Sequence, residues 1–195
     1  MTAQAWAVLA GAFLLGSFPT AYLVGRALAG VDVREMGDGN VGAKNTFGCI
    51  SPPAGVFVAL VDVGKGAGII LAARALDQPD AVIRAAGLGV VLGHDFNPFL
   101  HFRGGQGMAA IAGILCMLYP REFVAALAIS LVVLALSRCW NLFCGVGLGF
   151  FAALLWFTGH TAAEALYPAV LLPTIGLSKL WQTWQARRAV HRTAH

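Results

Sequence analysis

Charge is scarce in this chain of 195 residues, where only 11% of the side chains are charged, against roughly 25% in a soluble domain. Hydrophobic residues make up 58%, and the mean hydropathy is +0.75. This composition excludes an ordinary soluble protein. A bilayer crossing takes about 20 mostly apolar residues, because unsatisfied backbone groups in lipid cost several kcal/mol each. About seven crossings would use most of the length, so we expect an all-α, polytopic transmembrane bundle with a single domain over residues 1–195.

Two familiar sequence signals are also missing. The first 25 residues carry no charged side chain, but they lack the basic start and small-residue cleavage pattern of a secretory signal, which favours a retained first helix. The cysteines show none of the paired spacings of zinc or redox sites, so we interpret them as small buried hydrophobes and expect no metal and no cofactor. They are Cys49, Cys116, Cys139 and Cys144.

The apolar runs, broken by charge or turn residues, predict the crossings. Two of them, at 106–120 and 122–137, are short, and only Pro120-Arg121-Glu122 separates them, so a re-entrant pair is the alternative. The predicted helices cover residues 3–25, 53–74, 82–99, 106–120, 122–137, 142–159 and 164–184.

The basic residues are distributed unevenly between the two sides of the predicted bundle. The formal charge of +4 therefore indicates membrane orientation rather than nucleic-acid binding, with the N-terminus outside and the C-terminus and the glycine-rich connections cytoplasmic. The segment 182–195 resembles an interfacial anchor whose basic tail could touch anionic lipid, or it acts only as a topology determinant. The predicted cytoplasmic side carries Arg26, Arg34, Lys44, His101, Arg103, Arg138, Lys179, Arg187, Arg188 and Arg192; the other side carries Arg74, Asp77, Asp80, Arg84, Arg121, Glu122 and Glu164.

A glycine-rich segment, Gly37–Thr46, connects the first two predicted helices. Its glycines permit positive φ and close backbone approach, and successive exposed amides can form an anion-binding concavity. A tight loop that uses Asn and Gly only for turns is equally compatible with the pattern. The residues that would bind a phosphate here are Gly39, Asn40, Gly42, Lys44 and Asn45.

A second glycine-rich segment, Arg103–Gly107, opens a predicted helix. The amides of a first helical turn and the positive end of the helix dipole bind anions without a particular side chain. Such a turn alone is weak evidence, but it lies on the same predicted side as Gly37–Thr46 and closely follows Gly93-His94-Asp95-Phe96. The candidate phosphate-binding residues are Arg103, Gly104, Gly105, Gln106 and Gly107.

Charged residues also stand inside or beside predicted crossings. Asp62 and Lys65 are three apart and share one side of a helix, and charges within a membrane helix usually mark a functional interior. An ion pair that holds the bundle together is the alternative. Arg138, followed by Asn141, is a further candidate at a membrane edge, where an arginine that only sets topology is equally compatible.

In order along the chain, these segments resemble the PlsY family of acyl-phosphate:glycerol-3-phosphate acyltransferases, from Gly16 to about Cys144. Four ordered motifs carry the resemblance. They are matched by Gly16, Ser17, Phe18, Pro19 and Tyr22; by Gly37, Gly39, Asn40, Gly42, Ala43 and Asn45; by Asp62, Lys65 and Gly66; and by Gly93, His94, Phe96, Phe102, Gly104, Gly105 and Gly107.

The resemblance implies a multi-pass protein of the bacterial inner membrane that transfers a fatty acyl group from acyl phosphate to the 1-hydroxyl of glycerol 3-phosphate. The product would be lysophosphatidate, in the first committed step of phospholipid synthesis. Acyl phosphate is already activated, so catalysis would consist of positioning and of stabilising developing charge. The candidate catalytic groups are His94, Asp62 and Asp38, and the group that takes the hydroxyl proton is left open.

Several positions depart from the family pattern. Asp38 replaces a serine, Lys44 a threonine, Gly48 an arginine, Gln106 a lysine, Ala110 a threonine and Asn141 a serine, and we find no match to the family's C-terminal His-Arg-Asn. Phosphate recognition is therefore either rebuilt, with Lys44 as the replacement cation, or reduced. Alternatively, Asp38 serves a different acceptor as hydrogen-bond acceptor or general base.

Three hypotheses follow from these patterns. The leading one is an acyltransferase that makes lysophosphatidate or acylates a related polyol phosphate, with membrane lipid as a further partner. The second is a non-catalytic relative that binds lipid or a partner protein. Transport of a small anion is third, because the crossings are few and no internal repeat is visible.

Overall fold

The described part of the chain is helical throughout, with turns between the helices. The computed structural model describes residues 1–193, without the side chains at 172, 175, 178, 179, 182, 183 and 185–193. The predicted all-α fold is confirmed. The α-helices are α1 (Ala3–Gly16), α2 (Thr20–Ala29), α3 (Ala43–Cys49), α4 (Pro52–Ala75), α5 (Asp80–Asp95), α6 (Met108–Leu118), α7 (Pro120–Ser137), α8 (Trp140–Phe157) and α9 (Ala162–Thr193), with 3₁₀ turns at Val33–Glu35 and Pro98–Leu100.

Four segments of the described residues are long and apolar enough to cross a membrane: Ala3–Ala29, Pro52–Ala75, Pro120–Ser137 and Trp140–Phe157. Met108–Leu118 and Ala162–Leu171 are shorter apolar helices. A count of about seven crossings and the orientation of the termini therefore stay predictions. The predicted anchor at 182–195 lies outside the described side chains except for Trp184, which stacks on Trp181 with ring centroids 4.9 Å apart.

The first apolar segment is broken, so the predicted continuous helix over 3–25 was wrong. α1 ends at Gly16 and α2 begins at Thr20, because Pro19 has no N–H and its ring is incompatible with a helix interior. The Ser17 hydroxyl donates to Phe13 O at 2.8 Å at the end of α1. The break leaves the carbonyls of Ser17 and Phe18 available to other side chains, and within membrane depth such groups need partners.

The predicted helix 82–99 was also too long. α5 ends at Asp95, and Pro98 disfavours helical geometry at the residue before it. Asn97 begins a 3₁₀ turn instead, with its side chain accepting from the Phe99 amide at 3.0 Å. The chain therefore turns away directly after His94 and Asp95.

The chain divides into two compact units. Unit 1 contains Met1–Ile114 and Pro173–His195, and unit 2 contains Leu115–Leu172. Within unit 1, α1 and α5 are in backbone contact, because a methyl group added at Gly16 would collide with Val90 O and one at Gly93 with Phe13 O. Small residues permit this close approach of membrane helices. A single domain over 1–195 stays a prediction.

Candidate active site

A buried ion pair lies on α4 in unit 1. Lys65 Nζ and Asp62 Oδ1 are 2.7 Å apart, and the two side chains are 4% and 2% exposed. The Thr20 hydroxyl donates to the same carboxylate oxygen at 3.3 Å. Asp62 and Lys65 therefore lie on one side of the helix, as predicted. Each charge has a partner of opposite sign, which a buried charge needs.

The break between α1 and α2 supplies two further contacts to this region. Lys65 Nζ donates to Phe18 O at 2.6 Å, and Asn97 Nδ2 donates to Ser17 O at 2.6 Å. Carbonyls freed by the break are thus satisfied by polar side chains of α4 and of the segment after α5. Gly16-Ser17-Phe18-Pro19 therefore positions the ammonium group of Lys65.

His94, in the last turn of α5, joins this pair. It is buried, and its Nδ1 is 4.0 Å from Asp62 Oδ1, which is longer than a hydrogen bond. Its Nε2 faces Gly105, where an added methyl group would collide with the ring. The imidazole therefore stands between the α4 ion pair and the second glycine-rich turn.

The turn Arg103–Gly107 folds back over the end of α5. Gly104 N donates to Asp95 O at 3.2 Å and Gly105 N donates to His94 O at 3.1 Å. α6 begins at Met108, so the turn leads into a helix as predicted. The expectation that all these amides face a ligand was wrong for Gly104 and Gly105, because their N–H groups bind α5. Gln106 is half-buried and Arg103 exposed.

The first glycine-rich segment reaches the same place. A methyl group at Gly105 would lie 2.6 Å from Val41 O, so the two turns are in contact. Gly37 and Gly39 have φ of +55° and +71°, which favours glycine at both positions. The two turns, which were predicted to lie on one side of the membrane, are therefore in contact beside His94 within unit 1.

Asn45 has a different role from the predicted one. The last part of the segment is helical, because α3 begins at Ala43 and contains both Lys44 and Asn45. The buried Asn45 amide donates to the carbonyls of Val33, Met36 and Asn40 at 2.9–3.0 Å. Its Oδ1 accepts from Asp38 N at 3.3 Å. Asn45 thus braces the turn, and its amide group is occupied by backbone carbonyls.

The two charges that depart from the family pattern in this segment face each other. Lys44 Nζ lies 3.7 Å from Asp38 Oδ2, and the side chains are 57% and 50% exposed. Asp38 Oδ1 also accepts from Asn40 N at 3.1 Å. An exposed pair of this kind is weak, at about 0–1 kcal/mol, so a bound anion can compete with Asp38 for Lys44. Gly48, one turn further along α3, has open space for a side chain.

A second polar cluster supports the site, and sequence reasoning missed it. Arg34 Nη2 and Asp32 Oδ2 are 2.6 Å apart, and Arg34 Nη1 donates to Leu100 O at 3.2 Å. The Arg34 guanidinium also lies 5.3 Å from the ring centroid of Tyr22. Arg34 therefore joins the connection after α2 to the one after α5. The sequence signal was an Asp and an Arg two residues apart among apolar residues, which we had interpreted only as topology.

Asp32 makes the stability of this cluster depend on pH. The hydrogen bond from the Arg34 side chain holds the pKa of the Asp32 carboxyl below its ordinary value. A carboxyl with a lower pKa in the folded state adds stability that is fully present above its unfolded pKa and is lost as pH falls through the folded pKa. We expect the Tm gap between the wild type and Asp32→Asn to be constant near neutral pH and to shrink below about pH 4. Thermal unfolding in detergent between pH 7 and pH 3 measures the gap, and a gap independent of pH would contradict the assignment.

Arg138 and Asn141 belong to unit 2. Arg138 ends α7 in a left-handed conformation with φ of +53°, and Asn141 lies in the first turn of α8; both side chains are exposed. Their predicted roles as phosphate ligands stay predictions. Among the described residues, no three His, Cys, Asp or Glu side chains are grouped so that they could hold a metal ion.

The comparisons with known proteins agree with this geometry. A family model for glycerol-3-phosphate acyltransferase matches residues 6–194. Glycerol-3-phosphate acyltransferase 2 of Moorella thermoacetica is 45% identical over 65% of each chain, and that of Dehalococcoides mccartyi is 32% identical over 86% of this chain and 80% of its own. The crystal structure of PlsY, an integral membrane glycerol 3-phosphate acyltransferase, in its glycerol 3-phosphate form superposes with a TM-score of 0.81 at 26% identity, over 98% of this chain and 92% of that one.

Fold and site together define an integral membrane acyltransferase. The chain belongs to the glycerol-3-phosphate acyltransferase family, the PlsY family that its motifs resemble. The predictions of a membrane protein, of acyltransferase activity and of a function in phospholipid synthesis are confirmed at the level of this family.

Proposed function

We propose that the protein transfers a fatty acyl group from acyl phosphate to the 1-hydroxyl of glycerol 3-phosphate and releases lysophosphatidate and inorganic phosphate. The observation that carries the proposal is the contact of both glycine-rich turns around His94, directly beside the buried Asp62–Lys65 pair. The Gly39 and Gly42 amides donate to Met36 O and Asn40 O, so the groups that suit a phosphorylated substrate are the Lys65 ammonium and the positive end of the α6 dipole. The active face is cytoplasmic, at the inner membrane of a bacterial cell, as the positive-inside rule predicts.

The residues divide between binding and proton transfer. Gly39, Asn40 and Gly42 on the first turn, and Gln106 and Gly107 on the second, line the phosphate region, with Lys44 and Arg103 as exposed cations at its edge. Lys65 adds a fixed buried positive charge that stabilises negative charge developing on the acyl oxygen.

His94 is the proposed proton acceptor. With the Nδ1 proton directed toward Asp62, Nε2 is an acceptor on the side of Gly105. The glycerol hydroxyl forms the new ester bond, its proton passes to Nε2, and the acyl–phosphate bond breaks with the electron pair leaving on phosphate. The 4.0 Å separation from Asp62 is compatible with this role, because catalytic hydrogen bonds often tighten only when substrate binds.

A radiolabelled assay of purified protein with acyl phosphate and glycerol 3-phosphate tests the function. We expect labelled lysophosphatidate that depends on both substrates, and a panel of other polyol phosphates defines the acceptor. Complementation of a bacterial strain that lacks its own acyltransferase tests the function without presuming the donor. Inactivity in both, beside an active family member as control, would favour a non-catalytic relative that binds lipid or a partner protein.

Lys44 is the proposed replacement for the cations lost at Gly48 and Gln106. A charge-assisted hydrogen bond to phosphate contributes about 1.5–3 kcal/mol, so Lys44→Ala is expected to raise the KM for glycerol 3-phosphate roughly tenfold with little change in kcat. Gln106→Lys serves as the matched variant and should leave KM unchanged or lower it. Steady-state kinetics over a range of acceptor concentrations measure the KM of both variants. An unchanged KM in Lys44→Ala would show that Lys44 does not replace the lost cations.

A further inference from the structure

A cavity of about 580 Å³ lies within unit 2, and none of its lining residues is assigned to the reaction. It is open on one side and is lined by the start of α7 and the end of α8. Its wall is formed by apolar side chains, including those of Leu118, Ala125 and Leu154, and polar groups of Arg121, Glu122 and His160 line it as well. None of these residues belongs to a motif of the acyltransferase family resemblance.

The cavity lies at a membrane–water boundary. α7 and α8 are both candidate spans, and the short connection at Arg138 and Cys139 makes them antiparallel neighbours. The start of α7 lies about 27 Å along the helix from Arg138, given a rise of 1.5 Å per helical residue. Trp156 and Phe157, at the cavity end of α8, are 63% and 84% exposed. Exposed aromatic side chains at the end of a membrane helix are typical of the headgroup region.

The polar groups at this end are held in place. His160 Nε2 lies 3.2 Å from Glu122 Oε1, and His160 Nδ1 lies 3.8 Å from Glu164 Oε2. Thr161 fixes Glu164 through its amide at 2.9 Å and its hydroxyl at 2.7 Å. The Tyr119 ring packs edge-on against His160 with centroids 5.2 Å apart. The carboxylate of Glu122 is thereby fixed beside Arg121 in the first turn of α7.

A cation and an anion on adjacent residues, above an apolar wall at the headgroup level, complement one class of amphiphile. We propose that this cavity binds the headgroup of a zwitterionic phospholipid that carries a primary amine. The lipid phosphate pairs with Arg121 at the positive end of the α7 dipole, and the ammonium group donates to the Glu122 carboxylate. The acyl chains lie along the apolar side chains of α7 and α8. A lipid without the amine loses the Glu122 contact, and a quaternary ammonium group has no N–H to donate.

Lipid-dependent thermal stability of the purified full-length protein tests this site. Micelles are supplemented with phosphatidylethanolamine, phosphatidylglycerol or phosphatidylcholine of identical chains. We expect phosphatidylethanolamine to raise Tm the most and Glu122→Gln to abolish that difference between lipids. Arg121→Gln removes the contact with the phosphate that all three lipids share, so it should reduce the Tm shift of each. Arg74→Gln, which changes an exposed arginine at the end of α4, is the control and should retain it.

Native mass spectrometry of the wild type gives a second readout that needs no variant. From an equal mixture of the three lipids, the protein should retain phosphatidylethanolamine at least about fivefold over either competitor, equivalent to about 1 kcal/mol. Equal Tm shifts for the three lipids, equal retention, a preference that persists in Glu122→Gln, or Tm shifts that are unchanged in Arg121→Gln would overturn the proposal. The readouts do not involve acyl transfer, so their failure is distinguishable from failure of the proposed reaction.

Discussion

Asp62→Asn is expected to lower kcat at least about 100-fold and to destabilise the protein. Removing one partner of a buried ion pair typically costs about 3–5 kcal/mol, because the remaining charge has no compensation. Here that charge is Lys65 Nζ, 2.7 Å from Asp62 Oδ1 and 4% exposed at the level of the side chain. The loss in kcat has a separate cause, since the variant also removes the carboxylate that lies 4.0 Å from His94 Nδ1 and is proposed to orient the imidazole.

The double variant Asp62→Asn, Lys65→Met separates the two effects. It removes both charges at similar volume, keeps an oxygen that accepts from Thr20, and is expected to recover most of the lost Tm without recovering activity. Thermal unfolding and the radiolabelled assay, applied to the same preparations, measure both quantities. If the double variant regained activity together with stability, the pair would be structural only, and the proposed catalytic roles would be wrong.

Gly105→Ala is expected to abolish measurable acyl transfer. The added methyl group would collide with the His94 imidazole and lie 2.6 Å from Val41 O, so the turn must move away from the first glycine-rich segment or the imidazole must rotate. Either change separates groups that the reaction needs together, and displacements of about 1 Å can cost about 100-fold in rate.

Gly64→Ala is the matched control for this substitution. Gly64 lies on α4 between Asp62 and Lys65 and has nothing within 4 Å of an added methyl group. Alanine is favoured over glycine in a helix, so activity and Tm should be kept or slightly raised. The test is the kcat of both variants, measured on protein that retains a cooperative thermal transition. Normal activity in Gly105→Ala would show that the tight contact with His94 is not required.

The sequence predicted the parts of the site whose residue types have few alternative uses. Asp62 and Lys65 are three residues apart, so their position on one side of the helix followed from spacing alone, while their pairing was one of two interpretations. Glycines at positions 37, 39, 104, 105 and 107 indicated turns with unusual backbone demands, and the structure explains each by positive φ or close contact. The convergence of the turns was expected from the predicted sidedness of the connections.

The remainder depended on tertiary contacts that local patterns do not contain. Asn45 has the residue type of a phosphate ligand, but its amide faces the carbonyls of Val33, Met36 and Asn40 once α3 forms. The break at Pro19 was overlooked because the apolar run continues through it. The carbonyls that the break frees are bonded by Lys65 and Asn97, which are distant in sequence. The link from Arg34 to Leu100 spans 66 residues of chain and has no periodic signal.

Hydrogen–deuterium exchange with and without saturating glycerol 3-phosphate tests most directly whether the two glycine-rich turns and the end of α5 bind one phosphorylated substrate together. We expect peptides covering 37–46, 93–96 and 103–107 to gain protection together, at the same half-saturating concentration, with no such effect from glycerol. Protection of a single segment, or half-saturation at clearly different concentrations, would contradict a shared binding site.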